Sequence, residues 1–214
     1  MMVLVACEES QRVCEAFRMR GHEAYSADVQ EPSGGHPEWH ILGDVLPIIN
    51  GSCEFDTMDG AHHHIDKPWD LLIAHPPCTY LTTAGATLLF DHNHKVIDPE
   101  REKKGFEAAE FFYKFLQVSL LGTKVCVENP LPLKHFWLPR YSQIIHPYYF
   151  GEPWSKRTCL WLVGLPLLIP TNILEKHEPW VNTRGHNRGH SGRNPEIRAK
   201  TFRGIAKAMA EQWG

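Results

Sequence analysis

Cys78 is the residue of this chain whose type and position best suit a nucleophile. It follows a mostly apolar run over 69–74, after which come His75, Pro76 and Pro77. Proline cannot donate to a strand ladder and restricts the residue before it, so the pattern predicts a buried strand that stops abruptly before Cys78. Ligands bind beyond this end of a strand in an open parallel α/β sheet, where a thiolate could attack a substrate. Taken alone, the position fits a small buried side chain at least as well.

Glu128 ends a second stretch with the same design. Residues 124–127 are a short apolar run, and Glu128, Asn129 and Pro130 follow. If the two runs are adjacent parallel strands, the side chains of Cys78 and Glu128 reach the same edge of the sheet. Arg157, at the start of a later apolar run over 158–163, could place a fixed positive charge near them. For Glu128 alone, a surface loop acid is an equally good interpretation.

The first third of the chain predicts one half of a nucleotide-binding fold. The pattern indicates a strand over 3–6, a helix over about 11–20 that Ser10 can cap, and a strand over 23–27. Asp28 then stands at a strand tip, where such folds use an acid to accept hydrogen bonds from ribose hydroxyls. Asp44, after a short strand over 40–42, offers a second acid. The glycines of the dinucleotide fingerprint are missing, which disfavours nicotinamide and flavin cofactors. An adenosyl cofactor that has no pyrophosphate remains compatible with the pattern.

The remaining elements must position these groups. Residues 50–68 predict a hairpin containing His62, His63 and His64, and three adjacent histidines cannot converge on one ion, so a solvated loop is favoured over a metal site. We further expect a mobile loop over 79–87, a helix over about 98–121, strands over 141–150 and 158–163, loop over 165–198, and a last helix over about 200–213.

Composition limits the classes of protein that fit. The chain has 214 residues, 43% of them hydrophobic, and a formal net charge of −3. This predicts one domain, without a whole-protein charge signature for nucleic acid. The six cysteines form no CxxC pair, and neither a signal peptide nor a membrane-spanning run is predicted, so we expect reduced thiols and a cytoplasmic protein. The segment 182–203 differs from the rest of the chain in its charge, because it contains six Lys or Arg residues and one acidic residue. This pattern suits phosphate contacts or a solvated loop.

These motifs together resemble the DNA (cytosine-5) methyltransferase family, and most closely its short phage and prophage members. In that family the nucleophile lies in a Pro-Cys motif that is similar to Pro77-Cys78, and a Glu-Asn-Val motif is similar to Glu128-Asn129-Pro130. Arg157 resembles an arginine of the family at the start of a later strand. Residues 201–213 resemble the family's last motif, which packs beside the first. The resemblance covers nearly the whole chain in order.

The resemblance implies a Rossmann-like class I methyltransferase fold, with a mostly parallel doubly wound sheet. It also implies S-adenosylmethionine as cofactor and DNA, with a flipped cytosine, as substrate. The catalytic residues would be Cys78, Glu128 and Arg157. The implied cofactor contacts are Ala6, Cys7, Glu8, Ser10, Asp28, Val29, Asp44, Val45, Pro76 and Thr201. The implied nucleic-acid contacts are Thr79, Asn129, Arg184, Arg188 and Arg193.

The chain departs from the family in two places. The glycine-rich first loop of the family is Ala6-Cys7-Glu8-Glu9-Ser10 here, and the recognition domain is reduced to about 165–200. The first departure motivates an alternative, a methylase-like nucleic-acid-binding protein without turnover. The second motivates another, a methylase of free cytosine nucleotides. A target sequence for DNA does not follow from the sequence.

Overall fold

The computed structural model of this chain describes residues 1–180 and 199–214, which form an α/β fold. Eleven strands and four α-helices are found in these residues, joined by several single turns of 3₁₀ helix. In chain order they are β1 Met2–Ala6, α1 Arg12–Arg18, β2 Glu23–Asp28, β3 His40–Leu42, β4 Cys53–Asp56, β5 His62–Ile65, β6 Leu71–Ala74, α2 Ala86–Leu89, α3 Pro99–Gln117, β7 Lys124–Pro130, β8 Gln143–Ile145, β9 Trp154–Ser155, β10 Thr158–Val163, β11 Glu178–Pro179 and α4 Arg203–Trp213.

Seven strands form the central sheet, in the order β3-β2-β1-β6-β7-β10-β8. The first five run parallel, and β10 runs antiparallel to both of its neighbours. The predicted mostly parallel sheet is therefore confirmed, with one reversed strand. Because β10 is reversed, its start lies at the same edge as the carboxyl ends of β1, β2, β3, β6 and β7.

The sheet is buried on both faces, which explains why its inner strands are apolar without interruption. On one face, Leu4 and Ala6 pack in a core that includes Phe112 of α3. On the other face, Val3 and Val5 belong to a core with Phe17 of α1, and with Met209 of α4 among others. Successive side chains of a strand point to opposite faces, so β1 alone serves both cores.

Several predicted elements need correction. The 141–150 stretch is a strand only over Gln143–Ile145, since Pro147 cannot extend a ladder and begins a 3₁₀ turn instead. The predicted mobile loop over 79–87 contains a 3₁₀ turn over Thr83–Gly85 and the start of α2. The predicted loop over 165–198 contributes β11, which pairs with β9, and its last part, from 181 onward, lies outside the described residues.

The histidine run lies on β5, which pairs with β4 in the predicted hairpin. His62 and His64 hydrogen-bond to Asp56 and Glu54, whereas His63 points to the other face and contacts Tyr25. This alternation is what a strand imposes on adjacent residues. Within 1–180 and 199–214, no helix is both long enough and apolar enough to cross a membrane.

The first turn of α1 is capped by Glu8 and not, as predicted, by Ser10. The carboxylate of Glu8 accepts hydrogen bonds from the backbone N–H groups of Val13 at 2.7 Å and Cys14 at 3.1 Å. Gln11, between Ser10 and the helix, adopts a left-handed φ of 57°. The apolar pattern of the sequence does not indicate this left-handed turn. A buried acid thus supplies the acceptors that a helix start requires.

Glu8 gives a prediction on stability. Burial raises the pKa of Glu8, against the opposing effects of His75 and its own hydrogen bonds. We expect Glu8→Ala to lower the free energy of unfolding by about 1–2 kcal/mol, because two helix N–H groups lose their acceptor. Glu8→Gln keeps one acceptor and removes a buried charge, so its loss should be smaller.

Urea unfolding at several pH values checks this. A raised pKa in the folded state means that stability is lost as the pH rises through that pKa. The wild type should therefore lose stability relative to Glu8→Gln as the pH rises from the ordinary pKa of a glutamate to the raised one. Equal stability of the alanine and glutamine variants at every pH would contradict the capping role.

Candidate active site

A cavity of about 810 Å³ lies at the edge where the parallel strands end. This volume is in the range of small-molecule sites. Most of the residues that the sequence predicted as site residues line it together: Cys7, Glu8, Ser10, Asp28, Val29, Asp44, Val45, Pro76, Cys78, Thr79, Glu128, Arg157 and Thr201. The strands explain this convergence, since each delivers its loop to the same edge.

Two predicted contacts do not line the cavity. Ala6 is fully buried at the end of β1, and its carbonyl accepts a hydrogen bond from the backbone N–H of His75. Asn129 is also buried, so the predicted contact with nucleic acid is not available to its side chain in this structure. Its amide instead donates to the Pro76 carbonyl at 3.0 Å, which holds the loop that carries Cys78. The predicted contacts Arg184, Arg188 and Arg193 lie outside the described residues.

Cys78 and Glu128 reach the cavity because β6 and β7 are adjacent and parallel. Their register pairs Ala74, the last residue of β6, with Val127, so Glu128 follows in β7 at the level where β6 ends. The prediction that two neighbouring strands bring this thiol and this carboxyl to one edge is confirmed. Arg101 of α3 also lines the cavity, and its guanidinium donates to the Thr79 carbonyl at 2.7 Å. The loop after Cys78 is therefore tied to α3.

Glu128 is anionic in this environment. Burial raises its pKa, but the hydrogen bond with His75 and the positive charges of Lys156 and His75 outweigh burial, and the pKa lies below its ordinary value. The Nδ1 atom of His75 is 3.4 Å from Oε2 of Glu128. A group that binds beside Glu128 therefore meets a buried carboxylate that accepts hydrogen bonds.

Two cations reach the cavity from the start of β10. Because β10 is antiparallel to β7, with Leu160 opposite Glu128, the residues before it return to the edge where β7 ends. Lys156 is the cation whose charge acts on Glu128. Burial and the charge of Glu128 raise the pKa of Cys159 to about 11, and the charge of Arg157 opposes this increase. The sequence places both Lys156 and Arg157 at this strand start, and only Arg157 was assigned a catalytic role.

The glycine-poor first loop adopts a backbone that usually needs glycine. Cys7 has a φ of 58°, in the left-handed region. Burial, together with the carboxylates of Asp28 and Asp44, raises the pKa of the Cys7 thiol to about 12. A thiol in that state is a poor nucleophile at neutral pH, although it lines the same cavity as Cys78.

The two acids predicted to hold an adenosyl group stand at this end of the cavity. An oxygen of Asp28 accepts from the backbone N–H of Gln30 at 2.9 Å, and one of Asp44 accepts from that of Leu46 at 3.0 Å. These local hydrogen bonds fix both carboxylates at the tips of their strands. Thr201, beside α4, closes this end, since its carbonyl accepts from the Arg12 guanidinium at 2.7 Å. The predicted packing of the last motif against the first is observed, because α4 lies against α1.

Comparison with known proteins identifies no family for this chain. A scan against models of protein families finds no match, and a search of curated proteins finds none either.

Proposed function

We propose that this protein transfers a methyl group from S-adenosylmethionine to carbon 5 of cytosine in DNA. The observation that carries the proposal is the convergence of Cys78 and Glu128 on one cavity, whose other end holds Asp28 and Asp44. The sheet is compatible with it, because it is mostly parallel, as the resemblance implies. The motifs that resemble the family contain the same residues, Cys78 and Glu128.

The chemistry requires a thiol and a carboxyl together. Carbon 5 of cytosine is too weak a nucleophile to accept a methyl group directly. Addition of the Cys78 thiolate to carbon 6 moves the electron pair of the 5,6 double bond toward nitrogen 3 and makes carbon 5 nucleophilic. Glu128 stabilises this redistribution of electrons: it accepts a hydrogen bond from the exocyclic amine and exchanges a proton with nitrogen 3. A free thiol is only a few per cent ionised at neutral pH, and Arg157, which lines the same cavity, is the cation that we expect to help form the thiolate.

The residues at the other end of the cavity fit an adenosyl cofactor. Asp28 would accept hydrogen bonds from the ribose hydroxyls and Asp44 one from the adenine amine. The cofactor supplies an electrophilic methyl group when bound. Cys7, Glu8, Ser10, Val29, Val45, Pro76 and Thr201 would surround it, in keeping with their place around the cavity.

The ribose contact gives a prediction on affinity. We expect Asp28→Ala to weaken S-adenosylmethionine binding by about 1–3 kcal/mol, the scale of hydrogen bonds to a charged group. Calorimetry on the wild type and the variant measures this. Glu31→Ala, an exposed acid three residues away, is the control and should bind normally. Unchanged affinity of Asp28→Ala would move the ribose contact to another residue.

A methylase of free cytosine nucleotides remains the second candidate, because the recognition segment is short. DNA binding should fall steeply with salt, with a slope of about −0.9 in log affinity per neutralised phosphate. Replacing Arg184, Arg188 and Arg193 by Ala should flatten that slope by up to about 3 if these residues contact the backbone. A free nucleotide should hardly respond to the three changes.

The proposal is tested by supplying methyl-labelled S-adenosylmethionine with duplex DNA, single-stranded DNA or deoxycytidine triphosphate. Hydrolysis to nucleosides and mass spectrometry locate the label. Label on carbon 5 of cytosine from DNA is the expected result. Label in the free nucleotide alone would favour the second candidate, and no label in any cytosine would leave the binding protein without turnover as the better account.

A further inference from the structure

His75 is a buried titratable residue of the cavity that the chemistry above does not use. Its side chain is only 9% exposed, and its Nδ1 atom faces Glu128. Its Nε2 atom is buried and has no hydrogen-bond partner among the described residues. Most buried polar atoms are paired, since leaving one unpaired costs about 1–3 kcal/mol. An unpaired ring nitrogen beside a buried carboxylate calls for a role that involves a ligand or a proton.

Acidic groups of two different elements interact with His75. Two carboxylates from different elements act on it, Glu8 from the loop after β1 and Glu128 from β7. The positive charge of Lys156 acts on Glu128, the hydrogen-bond partner of His75. The backbone N–H of His75 is held by the carbonyl of Ala6, so the ring starts from a fixed main chain. The imidazole therefore contacts Glu128 directly, whereas its interaction with Glu8 is electrostatic.

We propose that His75 is a positioning residue that stores the proton which Glu128 exchanges with nitrogen 3 of the cytosine. The inference rests on the proposed function. As Sγ of Cys78 bonds to carbon 6, the displaced electron pair reaches nitrogen 3. Nδ1 of His75 passes its proton to the carboxylate of Glu128, which passes it on to nitrogen 3. Once the methyl group is on carbon 5, loss of the carbon 5 proton to solvent re-forms the double bond and expels the thiolate. The proton on nitrogen 3 then returns through Glu128 to His75.

This role resolves a conflict in the site. The anionic Glu128 of the free protein cannot give a proton to nitrogen 3, yet a proton is needed there when the thiolate adds. Proton transfer from Nδ1 of His75 across the 3.4 Å contact would provide it. This proton donation should weaken at high pH, whereas the thiolate of Cys78 increases with pH, so the reaction should be fastest at an intermediate pH.

The test compares the wild type with His75→Asn. Asparagine keeps an N–H donor near the position of Nδ1 but cannot carry the proton. The assay is the release of tritium from carbon 5 of labelled cytosine in DNA under single-turnover conditions between pH 5.5 and 9. We expect the wild-type rate to rise with the thiolate of Cys78 and then to fall at higher pH, and the His75→Asn rate to be about 100-fold lower, without the fall at higher pH. S-adenosylmethionine binding and KM for DNA should stay the same, and His63→Asn should keep the wild-type pH profile.

The outcomes separate this inference from the proposed function. A His75→Asn protein with the wild-type pH profile, or with a rate within threefold of the wild type, overturns the role of His75 and leaves the proposed function intact. If His75→Asn does not fold, His75→Gln is measured in its place and judged by the same profile. A wild type that releases no tritium from any cytosine substrate overturns both.

Discussion

Cys78→Ser should lower methyl transfer by at least about a thousandfold while S-adenosylmethionine binds nearly as it does to the wild type. The thiolate provides the covalent bond to carbon 6 that makes carbon 5 reactive, and a serine hydroxyl at neutral pH does not. The thiol acts on the base alone, so the substitution should not change the contacts that hold the cofactor. Single-turnover methylation and calorimetry on the same preparation measure the two effects.

Cys7→Ser is the matched control for this prediction. Both thiols line the same cavity, but the pKa of Cys7 is raised to about 12 by burial and by Asp28 and Asp44. A change at Cys7 should therefore leave the rate within about tenfold of the wild type. If Cys78→Ser retained more than about a tenth of the wild-type rate, the assignment of the nucleophile would be wrong.

Glu128→Gln should reduce the rate by about a hundredfold to ten-thousandfold, the usual effect of removing a general acid or base. The glutamine amide keeps the volume of the carboxyl but cannot exchange a proton with nitrogen 3. The loss should appear mainly in kcat, since the amide can still contact the exocyclic amine through its oxygen. Glu54→Gln, on the exposed hairpin, should have no effect on the rate.

The same variant should reveal the charge state of Glu128. Its pKa is lowered in the folded protein, so its ionisation contributes stability above the ordinary pKa of a glutamate, and this stability is lost as the pH falls through the lowered value. Relative to Glu128→Gln, the wild type should therefore lose stability as the pH falls through that window. A stability difference between the two proteins that is independent of pH would contradict an anionic Glu128.

The sequence predicted the acid and thiol of the site well because both follow the same local pattern. An apolar strand closed by proline indicates where the chain leaves the sheet, and two such patterns in adjacent parallel strands place Cys78 and Glu128 at one edge. His75 was missed because its partner Glu128 lies 53 residues away and becomes a neighbour only when β6 pairs with β7. The predicted pairing brought the ends of the two strands together, but it did not indicate that the ring of His75 faces Glu128.

Two other differences have physical causes. Ser10 has the residue type of a helix cap, but the left-handed turn at Gln11 gives that function to Glu8. Asn129 was expected at the nucleic acid because it follows Glu128, yet adjacent strand residues point to opposite sides. Its side chain therefore lies in the interior, where it holds the loop of Cys78.

The most direct test of the central claim is to trap the bond between Cys78 and the base. DNA containing 5-fluorocytosine is incubated with the wild-type protein and S-adenosylmethionine, and peptides of the denatured complex are analysed by mass spectrometry. Fluorine replaces the hydrogen that must leave carbon 5, so the adduct cannot break down after methyl transfer. A methylated 5-fluorocytosine attached to the peptide that contains Cys78, and absent from Cys78→Ser, is the predicted result. An adduct on Cys7, or no adduct in a protein that still methylates cytosine, would contradict the account.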